Sequence, residues 1–142
     1  MHRASAAAAA LVLMFGSATS AEASSLRVAP ITLKLSARAA GMLQVWNDGR
    51  AAVQVQVRVF RWTVVNGRDV LQLTQDVIAS PPMTTLLPGG GNVIRVVRVA
   101  KRPIGEPEGY RLLVDELPNR ASQRAGTVNV LIRHAIPVVF SQ

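Results

Sequence analysis

A proline pair, a glycine turn and an alternating apolar run, in that order, constrain this chain more than any other feature. Pro81-Pro82 fixes φ twice and lacks two donor N–H groups, so it enters an extended edge or a loop rather than a central strand. Pro88 and the glycines at 89–91 then supply the backbone angles of a turn. From Val93 to Arg98 each side of a strand is mainly apolar with one arginine. This stretch predicts an all-β fold.

Short apolar runs separated by turn residues predict seven strands at the spacing of a β-sandwich. In chain order they cover residues 26–35, 41–46, 53–64, 70–73, the run after the glycine turn, 110–116 and 127–140. Asn47-Asp48-Gly49 and Asn66-Gly67 are expected to be turns, because these residue types tolerate the left-handed backbone region. No segment after the N-terminal region shows a helical period, and the 119 residues that follow the first 23 are enough for one sandwich domain but not for two ordinary domains.

The first 23 residues are typical of a secretory signal peptide. A charged start precedes an apolar run from Ala6 to Phe15, and Ala21-Glu22-Ala23 has the small-x-small pattern of a cleavage site. The apolar run is too short to span a bilayer, so we expect no stable membrane insertion, with a retained N-terminal anchor as the alternative. We therefore predict a leader at 1–23 and an exported domain at 24–142.

Composition limits the partners of the domain. The chain has no cysteine, so disulfides cannot stabilise it, and its 16 Lys and Arg against 8 Asp and Glu favour acidic partners or anionic surfaces. The arginines are dispersed, aromatic residues are few, and export fits poorly with nucleic-acid binding. We expect no nucleic-acid partner.

The sequence offers little for catalysis or metal binding. The predicted mature domain has one histidine, His134, which is more typical of a strand residue than of a base or a ligand. Asp115 and Glu116 are adjacent in a predicted strand, so they point to opposite faces. Glu106 and Glu108 are expected to lie solvated in a loop. We predict no enzymatic activity, no metal site and no cofactor.

Three motifs together carry a resemblance to a known family. They are SPPMTTLLPGGGNVIRVVR at 80–98, YRLLVDELP at 110–118 and WND at 46–48. In this order and spacing they resemble the N-terminal domain of periplasmic, PapD-like pilus-assembly chaperones, and RVFRW at 58–62 is similar to the branch that serves spore-coat-U-like and archaic pili. The resemblance implies a seven-stranded immunoglobulin-like sandwich in the periplasm. It also implies an ATP-independent chaperone with pilus subunits as partners and the outer-membrane usher as a further partner.

The resemblance also implies which residues bind the subunit. Such chaperones lend the last strand of this domain to a subunit whose own sandwich lacks a strand. Val128, Val130 and Ile132 would insert into the open groove. The alternative is that they pack the domain's own core. Leu131 makes the other side of the strand apolar too, which favours a strand with one side for the home core and one for a partner.

The family usually holds the subunit's C-terminal carboxylate with two cations, but Thr32 and Pro137 occupy the matching positions here. The nearby cations that would replace them are Arg27, Lys34 and Arg133. Ordinary dispersed surface charge is the alternative for all three. Arg95 and Glu116, at motif positions, are predicted to be structural charges that tie the sheets or loops together.

The family normally continues into a second immunoglobulin-like domain, whereas this sequence stops at Gln142. A single-domain working chaperone, a gene fragment and a domain with another task are the three explanations. The alternative function is an exported immunoglobulin-like structural or adhesive module. Exposed edge strands would also allow self-association.

Overall fold

The computed structural model describes residues 25–118 and 130–142, which form ten β-strands in two packed sheets. The strands are β1 (Leu26–Ala29), β2 (Leu33–Ser36), β3 (Gly41–Asn47), β4 (Val53–Val65), β5 (Arg68–Leu73), β6 (Val77–Ser80), β7 (Met83–Leu86), β8 (Gly91–Arg98), β9 (Glu108–Glu116) and β10 (Arg133–Ser141). The four-stranded sheet has the order β1-β3-β8-β6, and the six-stranded sheet has the order β2-β10-β9-β4-β5 with β7 also paired to β4. The all-β sandwich is confirmed. Over the described ranges, no helix is long and apolar enough to cross a membrane.

The ten strands differ from the seven expected for identifiable reasons. The predicted first strand is two strands in different sheets, because the chain crosses between the sheets after Pro30, which has no backbone donor. The short strands β6 and β7 flank the proline pair and were not predicted as strands. The last strand begins at Arg133 rather than at residue 127, and residues 127–129 lie outside the described part.

Alternate side chains of both sheets fill the space between them. The most deeply buried include Leu43, Val45, Val55, Ile94, Val96, Tyr110, Leu112, Val114, Val138 and Phe140. The Tyr110 and Phe140 rings meet edge-on with centroids 6.0 Å apart. Because the chain has no cysteine, this burial is the main source of stability, at roughly 1.5–3 kcal/mol for each large apolar side chain.

The turns at 66–67 and 88–91 use left-handed residues, and a buried asparagine fixes the second of them. By contrast, Asn47 is part of β3, and none of Asn47, Asp48 and Gly49 has the positive φ expected there. Asn66-Gly67 has φ values of 52° and 75° and joins the antiparallel strands β4 and β5, which confirms the turn predicted there. Gly89 has φ 72°, a value that favours glycine. The buried Asn47 donates from its backbone N–H to the carbonyl of Gly90 at 2.8 Å and accepts from the N–H of Gly89 at 2.8 Å. Its side chain also donates to the Leu86 carbonyl at 3.0 Å, so the glycine turn is fixed to β3 and β7.

A buried ion pair ties β8 to β9. Arg98 donates through Nε and Nη2 to the two carboxylate oxygens of Glu108, at 3.0 and 3.1 Å, and the two side chains are 5% and 8% exposed. Tyr110 Oη donates to Glu108 Oε1 at 2.8 Å. Arg102 lies 3.3 Å from Glu108 and 2.7 Å from Asp76, which extends the pair into a network. The hydrogen bonds from Arg98 lower the pKa of Glu108 to about 2 against the opposing effect of burial.

The expectation that Glu108 is a solvated loop residue was wrong. Glu108 begins β9 and its side chain points inward. Its partner Arg98 lies on the same side of β8 as Ile94 and Val96, both fully buried. An arginine in a row of residues that is otherwise apolar and buried needs a buried counter-charge. The row of Ile94, Val96 and Arg98 was therefore the sequence signal from which a buried acidic partner could have been predicted.

We expect Glu108→Gln to lower the free energy of unfolding by about 3 kcal/mol at pH 7, because it leaves Arg98 buried without a counter-charge. Glu106→Gln is the control, since Glu106 is exposed in the preceding loop, and it should change the value by less than about 0.5 kcal/mol. Urea unfolding followed by circular dichroism measures both. Equal stabilities for the two variants would contradict the assigned role.

The same carboxylate should make stability depend on pH. The pKa of Glu108 falls from 4.5 to about 2 on folding, so its ionised form stabilises the fold. That contribution is complete above the unfolded pKa and is lost as the pH falls from about 5 to about 2. The stability curves of the wild type and of Glu108→Gln should therefore converge toward pH 2, and curves that stay parallel would refute the assignment.

Candidate functional site

β10 is paired along almost all of its length on one side but only partly on the other. On the side of β9 the antiparallel register covers residues 133–140. On the side of β2 the parallel register covers only 138–141. Residues 133–137 thus have no neighbouring strand on that side among the described residues, and they present an open strand edge.

The three residues before β10 continue along this edge. The backbone N–H of Glu116 donates to the Ile132 carbonyl at 2.9 Å, which extends the β9 ladder one residue past the strand. Ile132 therefore lies opposite Glu116, and strand alternation puts its side chain on the side of Ile136. Ile132 is half-buried, while Val130 is 75% exposed and Leu131 is 46% exposed. An exposed apolar segment thus leads directly into an unpaired edge.

The structure brings together two of the three predicted subunit-binding residues. Val130 and Ile132 lie in this segment, while Val128 lies outside the described residues. The core-facing residues of β10 are Ile136, Val138 and Phe140. By strand alternation, their side chains lie on the same face as those of Val130 and Ile132. The residues that pack the domain's own core and the exposed apolar residues therefore lie on the same face, one after the other along the strand, because the core does not extend as far as residue 132. The sequence had instead suggested that they occupy opposite faces of the strand.

Three charged side chains meet where β10 begins, and we call Arg58, Asp115 and Arg133 the Asp115 cluster. Arg133 donates to Asp115 through Nε at 2.6 Å and Nη2 at 3.2 Å, and Arg58 donates through Nη2 at 2.8 Å. The cluster spans β4, β9 and β10, and the Asp115 side chain is only 11% exposed. Burial would raise the pKa of Asp115, but the hydrogen bonds from Arg133 and Arg58 outweigh it and lower the pKa.

The sequence did not single out Arg58 or Asp115 as partners of Arg133. Asp115 and Arg133 face each other directly in the β9–β10 register. Apolar alternation predicts that both residues lie on strands, but it does not align one strand with the other. The only signal was an acid and a base on neighbouring predicted strands.

The three cations predicted to anchor a carboxylate do not come together. Arg27 lies in the four-stranded sheet and pairs with Asp48 at 2.8 Å. Arg133 is bound within the Asp115 cluster. Lys34 is exposed on β2, the strand that pairs with the end of β10, and it forms no ion pair with another described residue. Lys34 is thus the cation left available next to the open edge.

The other predicted site positions lie apart from this edge or on its border. Thr32 is exposed and Pro137 is half-buried. Arg95 is exposed on β8 and Glu116 is half-buried on β9, and neither forms an ion pair with any other residue that the structure describes. Their structural role stays a prediction. In the described ranges, no three His, Cys, Asp or Glu side chains are grouped so that they could hold a metal ion.

Solved structures of pilus chaperones share this fold. The CsuC–CsuE chaperone–tip adhesion subunit pre-assembly complex, from archaic Csu pili of Acinetobacter baumannii, matches with a TM-score of 0.70 and 27% identity over 81% of this chain and 55% of that chain. The CupB2 chaperone of Pseudomonas aeruginosa matches with 0.60 and 22% over 81% and 55%. The Salmonella enterica SafA pilin in complex with the SafB chaperone matches with 0.65 and 16% over 84% and 55%. This chain therefore spans about half the length of these relatives.

A family model agrees with the structural likeness. The model, described as pili and flagellar-assembly chaperone, PapD N-terminal domain, matches residues 25–141. Comparison with curated protein sequences gives no significant match. Members of the matched family are pilus-assembly chaperones and not enzymes, which agrees with the non-enzymatic protein expected from the sequence. The chain belongs to the PapD N-terminal domain family of pilus-assembly chaperones.

Proposed function

We propose that this chain is an ATP-independent periplasmic chaperone domain that binds pilus subunits and keeps their open groove covered until assembly. The observation that carries the proposal is the exposed apolar segment at 130–132, which leads into the unpaired edge at 133–137. The 27% identical relative was solved with a tip adhesion subunit, which supports a pilus subunit as the partner.

The proposed mechanism is strand addition. A subunit that lacks its last strand offers two backbone edges and an apolar groove between them. The open edge of β10 pairs with one of those backbone edges, and Val130 and Ile132 insert into the groove. Val128, outside the described residues, would follow in the same alternation. Each aliphatic side chain that becomes fully buried stabilises the complex by roughly 1.5–3 kcal/mol, which offsets part of the cost of ordering both partners.

The core of the free domain does not depend on residues 130–132. Ile136, Val138 and Phe140 keep the second half of β10 in the core, and β2 pairs with it there. The side chain of Val130 faces mainly solvent in the free domain. Binding therefore buries side chains that the free domain leaves exposed, without removing any from its own core.

Finer features of the proposal come from the sequence. The RVFRW motif and the archaic Csu relative support subunits of the spore-coat-U-like, archaic type. The expected leader at 1–23, outside the described residues, supports export to the periplasm. An outer-membrane usher would then receive the complex.

The proposal includes an anchor for the subunit's C-terminal carboxylate. Lys34 is exposed on β2 without an ion partner among the described residues, whereas Arg27 and Arg133 each bind an aspartate. A free cation beside the open edge is what a chain-terminal carboxylate requires. We therefore favour Lys34 among the three predicted cations.

We expect Ile132→Asp to abolish the complex with the pilus subunit encoded next to this gene, because a charge would have to enter an apolar groove. Leu131→Asp is the matched control, since Leu131 is adjacent, apolar and half exposed but faces the other way. Co-expression in a periplasm followed by size-exclusion chromatography should give a one-to-one complex for the wild type and for Leu131→Asp only.

Two outcomes would count against this mechanism. Equal loss in both variants would show that the side of the strand does not matter. Recovery of no complex with the wild type would refute subunit binding altogether. Salt-sensitive retention on an anionic polysaccharide in that case would favour the exported adhesive module instead.

We expect Lys34→Ala to weaken subunit binding by about tenfold, because the carboxylate loses a charge-assisted hydrogen bond. Arg27→Ala is the control, since Arg27 lies in the other sheet, and it should leave the affinity within about twofold. Isothermal titration calorimetry measures both affinities. With a C-terminally amidated subunit, Lys34→Ala should cause no further loss, and a persisting loss would rule Lys34 out as the anchor.

A further inference from the structure

Residues 130–132, just before β10, have few contacts that hold them in an extended form, whereas β10 itself is paired with β9 from Arg133 onward. On the side of β2, no strand in the described part of the chain pairs with β10 before residue 138. The preceding segment, residues 130–132, has one backbone hydrogen bond to β9, from Glu116 to Ile132. Val130 is too exposed to be fixed by core packing. Another restraint is needed to keep this segment in line with β10.

The Asp115 cluster lies at the residue where that restraint is needed. Arg133 directly follows Ile132, and its guanidinium makes two hydrogen bonds to Asp115 on the opposite strand. Arg58 holds the same carboxylate from β4. The cluster therefore fixes the position of Arg133 against two neighbouring strands of the sheet.

We propose that Asp115 is a positioning residue, which holds residues 130–132 extended and ready to pair with a subunit. The proposal rests on the proposed function, because it concerns the same segment. In this role Asp115 acts through Arg133 and needs no contact with the subunit. By ordering the segment in advance, it removes part of the ordering cost from the binding step.

Removal of the carboxylate should release the segment. Arg58 and Arg133 come from the strands on either side of β9, and without the carboxylate that they share they would be nearby like charges with no acid between them. Because the Arg133 side chain is 60% exposed, it would turn into solvent rather than stay in place. Asp115 itself points to the outer side of the sheet, away from the core residues of β10, so the fold should survive.

The test compares Asp115→Asn with Asp48→Asn, which breaks the simple Arg27–Asp48 ion pair in the other sheet. Asp115→Asn should bind the neighbouring pilus subunit at least about tenfold more weakly, through a slower association rate, and Asp48→Asn should stay within about twofold. Amide hydrogen exchange at residues 130–133 of the free domain should speed up in Asp115→Asn and stay unchanged at 138–141. Asp115→Glu should restore part of the affinity and of the protection.

Each result decides the proposal. Binding by Asp115→Asn equal to that of Asp48→Asn would overturn it, as would weaker binding with unchanged exchange at 130–133. If Asp115→Asn does not fold, Arg133→Gln removes the same two hydrogen bonds from the exposed side and must show the same pattern. If even the wild type binds no subunit, the proposed function fails, while the exchange data still decide whether Asp115 orders the segment.

Discussion

The antiparallel pairing of β10 with β9 is the interaction on which the rest of the structure depends. It joins β2, on one side, to β4, on the other, within the six-stranded sheet. It also places Ile136, Val138 and Phe140 in a core that no disulfide supports. The same pairing continues by one hydrogen bond to Ile132, after the core has ended. The second half of β10 thus packs into the core, whereas the apolar segment just before β10, residues 130–132, stays uncovered.

Two ion clusters on β9 show how the face of the strand decides what a buried charge does. Glu108 lies inward, and Arg98 with Tyr110 satisfies it, so this cluster joins the two sheets across the core. Asp115 lies on the outer side, and its arginines come from the strands on either side within one sheet. The first cluster therefore acts on the stability of the sandwich. In the role proposed above, the second acts on the position of the segment that leads into β10, which lies beyond the apolar core.

Features that depend on local chemistry, such as periodicity and turns, could be predicted from the sequence. Features that depend on which strands pair, and in which register, could not. The alternation of β4 and the Asn66-Gly67 turn were predictable, since periodicity and left-handed φ are local properties. The split of the first strand was missed because sheet membership is set by distant partners. For the same reason Glu108 was placed in solvent and the Asp115–Arg133 pair was not found. The direction of Ile132 was predictable, but the absence of a β2 partner beside residues 133–137 was not.

An open apolar edge must discriminate between its partner and a second copy of the same chain. Pro137 lies at the end of the open stretch and lacks a backbone donor, so it interrupts the ladder that a second copy would need for continuous pairing. The formal net charge of +8 adds repulsion between copies, which an acidic or neutral partner does not meet. If Val130 and Ile132 insert into a subunit's groove as proposed, the complex gains apolar burial that flat edge-to-edge pairing cannot offer. In the proposed mechanism, the edge is therefore selective because the correct partner gains side-chain burial in addition to backbone pairing.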